Sequence, residues 1–223
     1  MFTKIFLIIY LLFLPAMVLL LTFIAAKRYP NFSVLTHWIS NLGEKSSRSF
    51  WFFSIPVFLL GVFNVIFGFI LWRHMPLTFF STLVVSVFTV MGGSTAMVAV
   101  FPGDRKQIAH IISGTVLFLS APVFSSMMLS IVIFTDWFGP IEAVFAIELI
   151  IILFFSSVFL LSWIIMQKKF GFKRTRDFVE IRKTEKSFIY KNTTLWEWLM
   201  FLSSVLFLFS IGWHILLETL LVK

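Results

Sequence analysis

Residues 5–26 read IFLIIYLLFLPAMVLLLTFIAA, with Lys4 before them and Lys27-Arg28 directly after. The run holds no charge. About 20 such residues span roughly 30 Å as a helix, which is the thickness of a bilayer's hydrocarbon core. A cleaved signal peptide has a shorter apolar core and a small-x-small exit, so the run reads as a retained membrane helix. The rest of the chain repeats the theme: it is 60% hydrophobic, 13% charged and carries 31 Phe, which excludes an ordinary water-soluble domain. Backbone groups in lipid must be satisfied within the protein. The runs are continuously apolar rather than alternating, so helices are expected and a barrel is not.

Further apolar runs predict helices over about 50–72, 77–101, 105–135, 140–166 and 195–221, in addition to 5–26. Pro76 and Pro140 stand where they can open a helix, and Asp136-Trp137-Phe138-Gly139-Pro140 reads as a turn. The expected fold is an all-α bundle of six transmembrane helices, a single integral membrane domain over 1–223, with no internal repeat. The absence of cysteine removes disulfides, thiolate metal sites and Cys nucleophiles.

Charge asymmetry sets an orientation. Of the 18 Lys and Arg, Lys4, Arg73 and Lys223 fall on one side, and the remainder fall on the other, most of them between Gln167 and Leu195. The positive-inside rule then places the first, third and fifth connections in the cytoplasm and both termini outside the cell membrane. The 167–194 connection is expected to lie against anionic lipid headgroups. No nucleic-acid-binding motif accompanies its charge.

Two connections on that basic side carry polar residues that membrane crossing does not require. In Ser33–Leu42, the apolar Leu35, Trp38, Ile39 and Leu42 recur at i, i+3, i+4 and i+7, opposite Thr36, His37, Ser40 and Asn41. Ser33 can cap the start and Gly43 the end, so a short interfacial helix is expected after the first span. Its polar face either meets water and headgroups or lines a pocket under the bundle. Before the fourth helix, Asp104-Arg105-Lys106-Gln107 has the form of a capping box, with Asp104 expected to accept from the first-turn N–H groups. His110 follows. Ser40, Asp104 and His110 have the makings of a hydrolase, provided that a nucleophile and its base come within about 3 Å.

At the opposite surface, Glu148 and His214 are expected about 10–12 Å below the same membrane face, with Glu218 one turn from His214. An ionisable residue at that depth is costly and usually faces a partner inside the bundle. The set reads as a polar pair or a proton site. Two residues at ligand spacing do not define a metal centre, and neither a metal nor another cofactor is assigned. Asn64 and Gly92-Gly93-Ser94-Thr95 read as close helix packing and interhelical hydrogen bonding.

The two polar connections carry a resemblance. Ile39-Ser40-Asn41-Leu42-Gly43 resembles the I-S-x-L-G signature that follows the first helix in the domain-of-unknown-function family 998. Phe101-Pro102-Gly103-Asp104 with His110 is similar to that family's F-P-x-D…H signature before the fourth helix. The motifs cover roughly residues 5–165. The resemblance implies a multi-pass membrane protein in which Ser40, Asp104 and His110 matter, and it implies no particular activity.

Three classes of function stay open at this level. The leading one is binding of a lipid or small amphiphile at a cytoplasmic pocket built from His37, Ser40, Asn41, Asp104 and His110. The second is a membrane-embedded lipid hydrolase or transferase. The third is proton-coupled transport through Glu148 and His214.

Overall fold

The computed structural model describes residues 5–6, 8–74, 79–134, 142–170 and 192–221, with side chains described as far as Ser210 in the last helix. Every regular element among them is helical. A π-helical turn, Ile9–Phe13, leads into α1 (Leu14–Arg28). Then come a 3-10 turn (Ile39–Gly43), α2 (Phe50–His74), α3 (Phe79–Val100), α4 (Gln107–Phe134), α5 (Glu142–Phe170) and α6 (Thr193–Leu221). α1 taken together with the π-helical turn before it, and each of the other five helices, is long and apolar enough to cross a membrane. Between 28% and 50% of each spanning window is buried inside the bundle, so most of the apolar surface faces outward, as lipid contact requires. The chain is a multi-pass membrane protein.

The local sequence explains the irregularities. Pro15 has no N–H to offer the carbonyl four residues back, and the helix widens just before it, with Leu14 N–H reaching Ile9 O. Pro56 and Pro122 lie inside α2 and α4. Gly61 and Gly92 bring α2 and α3 into backbone contact: a Cβ on Gly92 would stand 2.7 Å from Asn64 Cβ, and one on Gly61 would collide with Ala96 N. Gly93 meets nothing within 4 Å, so of the glycine pair only Gly92 performs the expected close packing. Asn64 does bond between helices, accepting from Tyr10 Oη–H. Thr95 instead donates to Met91 O within its own helix.

Each of α2 to α6 packs on its neighbours in sequence, and α1 lies against both α2 and α6, which closes the six helices into a ring. Aromatic and aliphatic side chains fill much of the middle, with Tyr10, Leu14 and Val18 meeting Phe67, Phe88, Phe124, Phe145 and Leu208. A ring of six is wider than a four-helix bundle, and its centre is not filled along the whole length.

In place of one interfacial α-helix over Ser33–Leu42, the structure has a turn followed by the 3-10 turn. Thr36 and His37 N–H both return to Ser33 O, Trp38 is extended (ψ 149°), and Asn41 N–H bonds Trp38 O. In a continuous α-helix the Ile39 N–H and the His37 carbonyl would serve the segment's own ladder. Here both are taken by α6: Glu197 accepts from Ile39 at 2.9 Å, and Trp198 Nε1–H donates to His37 O at 3.3 Å. The apolar stripe is divided accordingly. Ile39 and Leu42 pack with Phe53 and Trp198, while Trp38 meets Phe159 edge-on. The segment is drawn into the end of the bundle.

Candidate functional site

The loop after α1 leaves through Asn31, whose φ of 52° lies in the left-handed region that Asn tolerates better than most residues. Tyr29, Phe32 and His37 then form a small aromatic group, with the His37 ring 5.4 Å from Tyr29 and 5.5 Å from Phe32. Past the 3-10 turn, Glu44 gathers the corner. Its Oε2 accepts from Tyr29 Oη–H at 3.0 Å and its Oε1 from Asn41 Nδ2–H at 2.8 Å. Gly43 is buried against Phe53, where a Cβ would stand 3.0 Å from the ring, and Ser49 Oγ–H donates to Leu42 O at 2.7 Å. The loop is thereby fastened on both sides of Ser40.

Asp104 does not cap α4, which begins at Gln107. The N–H groups of Arg105 and Lys106 return to Pro102 O, and the Asp104 carboxylate instead crosses to the first loop. There it accepts from the backbone N–H groups of Lys45 and Ser46, each at 3.1 Å. Local spacing alone could not distinguish these targets, since any backbone N–H suits a carboxylate. Partial burial works to raise the Asp104 pKa, but the amides of Lys45 and Ser46 and the Ser46 hydroxyl outweigh it and hold the group below its ordinary 3.8. Burial, then the Glu44 charge, pushes the Tyr29 phenol well above its ordinary 10.0.

His110, about one turn into α4, turns back onto the same corner. Its Nδ1 is 2.7 Å from Phe101 O. A carbonyl can only accept, so Nδ1 carries the hydrogen and Nε2 of the neutral ring is an acceptor, standing beside Gly103.

These groups surround the mouth of one cavity of about 810 Å³. All five expected pocket residues, His37, Ser40, Asn41, Asp104 and His110, line it. So do Tyr29, Glu44 and Glu197, which sequence reasoning did not single out. Deeper in, the lining turns largely apolar through Leu60, Phe88, Phe124, Ile152 and Leu208, with Asn64, Thr95, Thr115, Ser125 and Ser204 as polar exceptions. Glu197 is 2% exposed in the second turn of α6, between Trp196 and Trp198. A carboxyl group within an apolar span is itself a signal, and it could have been read as one.

Among the described residues no hydrogen bond joins Ser40, Asp104 and His110: Asp104 is held by two backbone amides and His110 by a backbone carbonyl. No cluster of three metal-ligating side chains occurs among the described residues. Glu148 lies in α5 away from this cavity, with Ser210 as a hydrogen-bonding neighbour and its Oε2 buried without a partner. His214 and Glu218, expected to join it, lie outside the described side chains, as does most of the 167–194 connection.

The family model described as protein of unknown function (DUF998) matches residues 13–214. The chain belongs to this family. The match takes in both corner motifs and continues through the fifth connection into α6, beyond the 5–165 that the motifs themselves carry. Glu197 therefore stands inside the DUF998 region together with Asp104 and His110. No curated protein and no solved structure matches the chain.

Proposed function

We propose that this DUF998 protein is a non-catalytic membrane protein that holds a lipid or other amphiphile in the cavity of its helix ring. Supporting this reading is a single observation: one continuous space of about 810 Å³ is lined by hydrogen-bonding groups at its mouth and by Phe and Leu farther in. An amphiphile has that same division, and the volume lies in the range of about 300–1,000 Å³ typical of small-molecule sites. The head would meet Ser40, Asn41, Glu44, His110 and Glu197, and the chain would lie along Phe88, Phe124 and Leu208. Asp104 serves as the fastener that keeps the two connections together around the head.

By the charge rule this mouth opens on the cytoplasmic side of the cell membrane, with both termini outside, and the basic fifth connection rests on anionic headgroups.

The test is native mass spectrometry of the full chain released from lipid nanodiscs. Wild type is expected to retain an amphiphile. Gly114→Trp places a large side chain at a cavity-lining position where a Cβ would have only ordinary contact with Phe118, and it is expected to lose that adduct while staying folded. A bare wild-type protein, or a variant that retains the adduct equally, would overturn the reading.

A further inference from the structure

The mouth of the cavity is rich in acceptors. Glu44, Asp104 and Glu197 bring three carboxyl groups to the lining, and His110 adds Nε2. Among the described residues no Lys or Arg lines the space. The cations of the flanking segments lie outside the lining. Lys27 Nζ stands 4.5 Å from the Phe23 ring centroid and the Arg28 guanidinium 4.2 Å from that of Phe52. Lys45, Arg48, Arg105 and Lys106 are exposed, and Lys45 meets Asp104 through its backbone N–H.

Glu197 gives this pattern its direction. The residue is almost fully buried, yet the Ile39 N–H is the one hydrogen-bond partner shown for its carboxyl group among the described residues, which leaves further lone pairs open. The remaining capacity belongs to a side chain that lines the cavity. A phosphate or carboxylate head would bring like charge to these groups where water is scarce and repulsion is least screened. A neutral hydroxyl head brings a single donor to several open acceptors. An ammonium offers three donors and no acceptor, which complements what the mouth presents.

We propose that the occupant is a single-chain amphiphile with a primary amine head, its ammonium placed among Glu44, Glu197 and His110. This rests on the cavity being an amphiphile site, and it adds the charge of the head.

Three probes of one chain length separate the possibilities: hexadecylamine, hexadecanol and hexadecyl phosphate, offered as an equal mixture to the purified full chain and read as relative occupancy by native mass spectrometry. The amine is expected to exceed each of the others by about tenfold, the scale of one good charge-assisted contact. Glu197→Gln keeps an oxygen for the Ile39 N–H, so the fold is retained. It is expected to bring the amine-to-alcohol ratio towards one, as is Glu44→Gln. Equal or preferred binding of the phosphate or the alcohol, or an unchanged ratio in Glu197→Gln, would overturn the amine assignment while leaving the site intact. Failure of all three probes to bind, with Gly114→Trp indistinguishable from wild type, would remove the site itself.

Discussion

The Glu197 carboxyl group accepts the backbone N–H of Ile39 at 2.9 Å, joining residues 158 positions apart. This bond takes from the loop after α1 a donor that a local helix would have used, and it fixes the loop to the last helix of the ring. It also places an acidic group at the mouth of the cavity. The stability and the chemistry of the corner therefore meet in one side chain.

Removal of that side chain separates its two roles. Glu197→Ala leaves the Ile39 N–H buried without an acceptor and opens a void, and an expected loss of about 3 kcal/mol follows from the two terms together. Glu197→Gln preserves the acceptor and is expected to lose less than about 1 kcal/mol. Thermal unfolding in detergent, followed by the rise in exposed Trp fluorescence, measures the difference between the two variants.

The Asp104 tether predicts an acid limb. Its folded pKa lies below the ordinary 3.8, so its contribution is complete above that value and disappears as pH falls through the depressed folded value. Asp104→Asn should flatten the loss of stability below about pH 4 and lower the unfolding temperature at neutral pH. Tyr29 predicts the opposite limb. Its phenol is raised above 10.0, so its contribution is present below that value and fades as pH climbs towards the folded value. Tyr29→Phe should remove this alkaline sensitivity. Melting curves across the pH range would decide both, and an acid limb unchanged by Asp104→Asn would count against the tether.

The glycine pair in α3 gives a contrast between adjacent residues. Gly92→Ala must displace Asn64 or the α2 backbone, whereas Gly93→Ala enters open space. Overpacking is expected to cost Gly92→Ala about 2 kcal/mol, while Gly93→Ala stays neutral or gains a few tenths from helix propensity. Comparable effects of the two substitutions in an unfolding assay would contradict the α2–α3 contact described above.

Sidedness is open to a direct measurement because the chain has no cysteine of its own. Ser46 and Arg105 are both exposed, and they lie on the two loops that Asp104 joins. Ser46→Cys and Arg105→Cys should react with a membrane-impermeant maleimide from the same face of the membrane, the cytoplasmic one. Labelling from opposite faces would dissolve the corner, and labelling of both from outside would invert the orientation.

How much of this was legible beforehand differs from residue to residue. The Phe50 start of α2 coincides with the expected one, and α4 and α6 begin within two residues of expectation, because an apolar run in lipid has to satisfy its own backbone within the segment. The convergence of Ser40 and Asp104 at one end was likewise implied, since helix length and connection parity leave few ways to separate them. The partner of Asp104 was not legible. A capping box and a cross-loop tether use the same carboxylate, and what distinguishes them is whether Lys45 N–H or the first turn of α4 stands nearer in space.

The sequence by itself determined the six helices, their order, and which connections share an end of the bundle. These follow from hydropathy and length, which are properties of each segment alone. Only the tertiary structure decided that Ser33–Leu42 breaks into two turns, that Glu197 and Glu44 belong with His110, and that a cavity remains at the centre. Those outcomes depend on α1 closing the ring against α6. Closure brings donors and acceptors from opposite ends of the chain within 3 Å, where a long-range bond from a buried carboxyl group outweighs a marginal local helix.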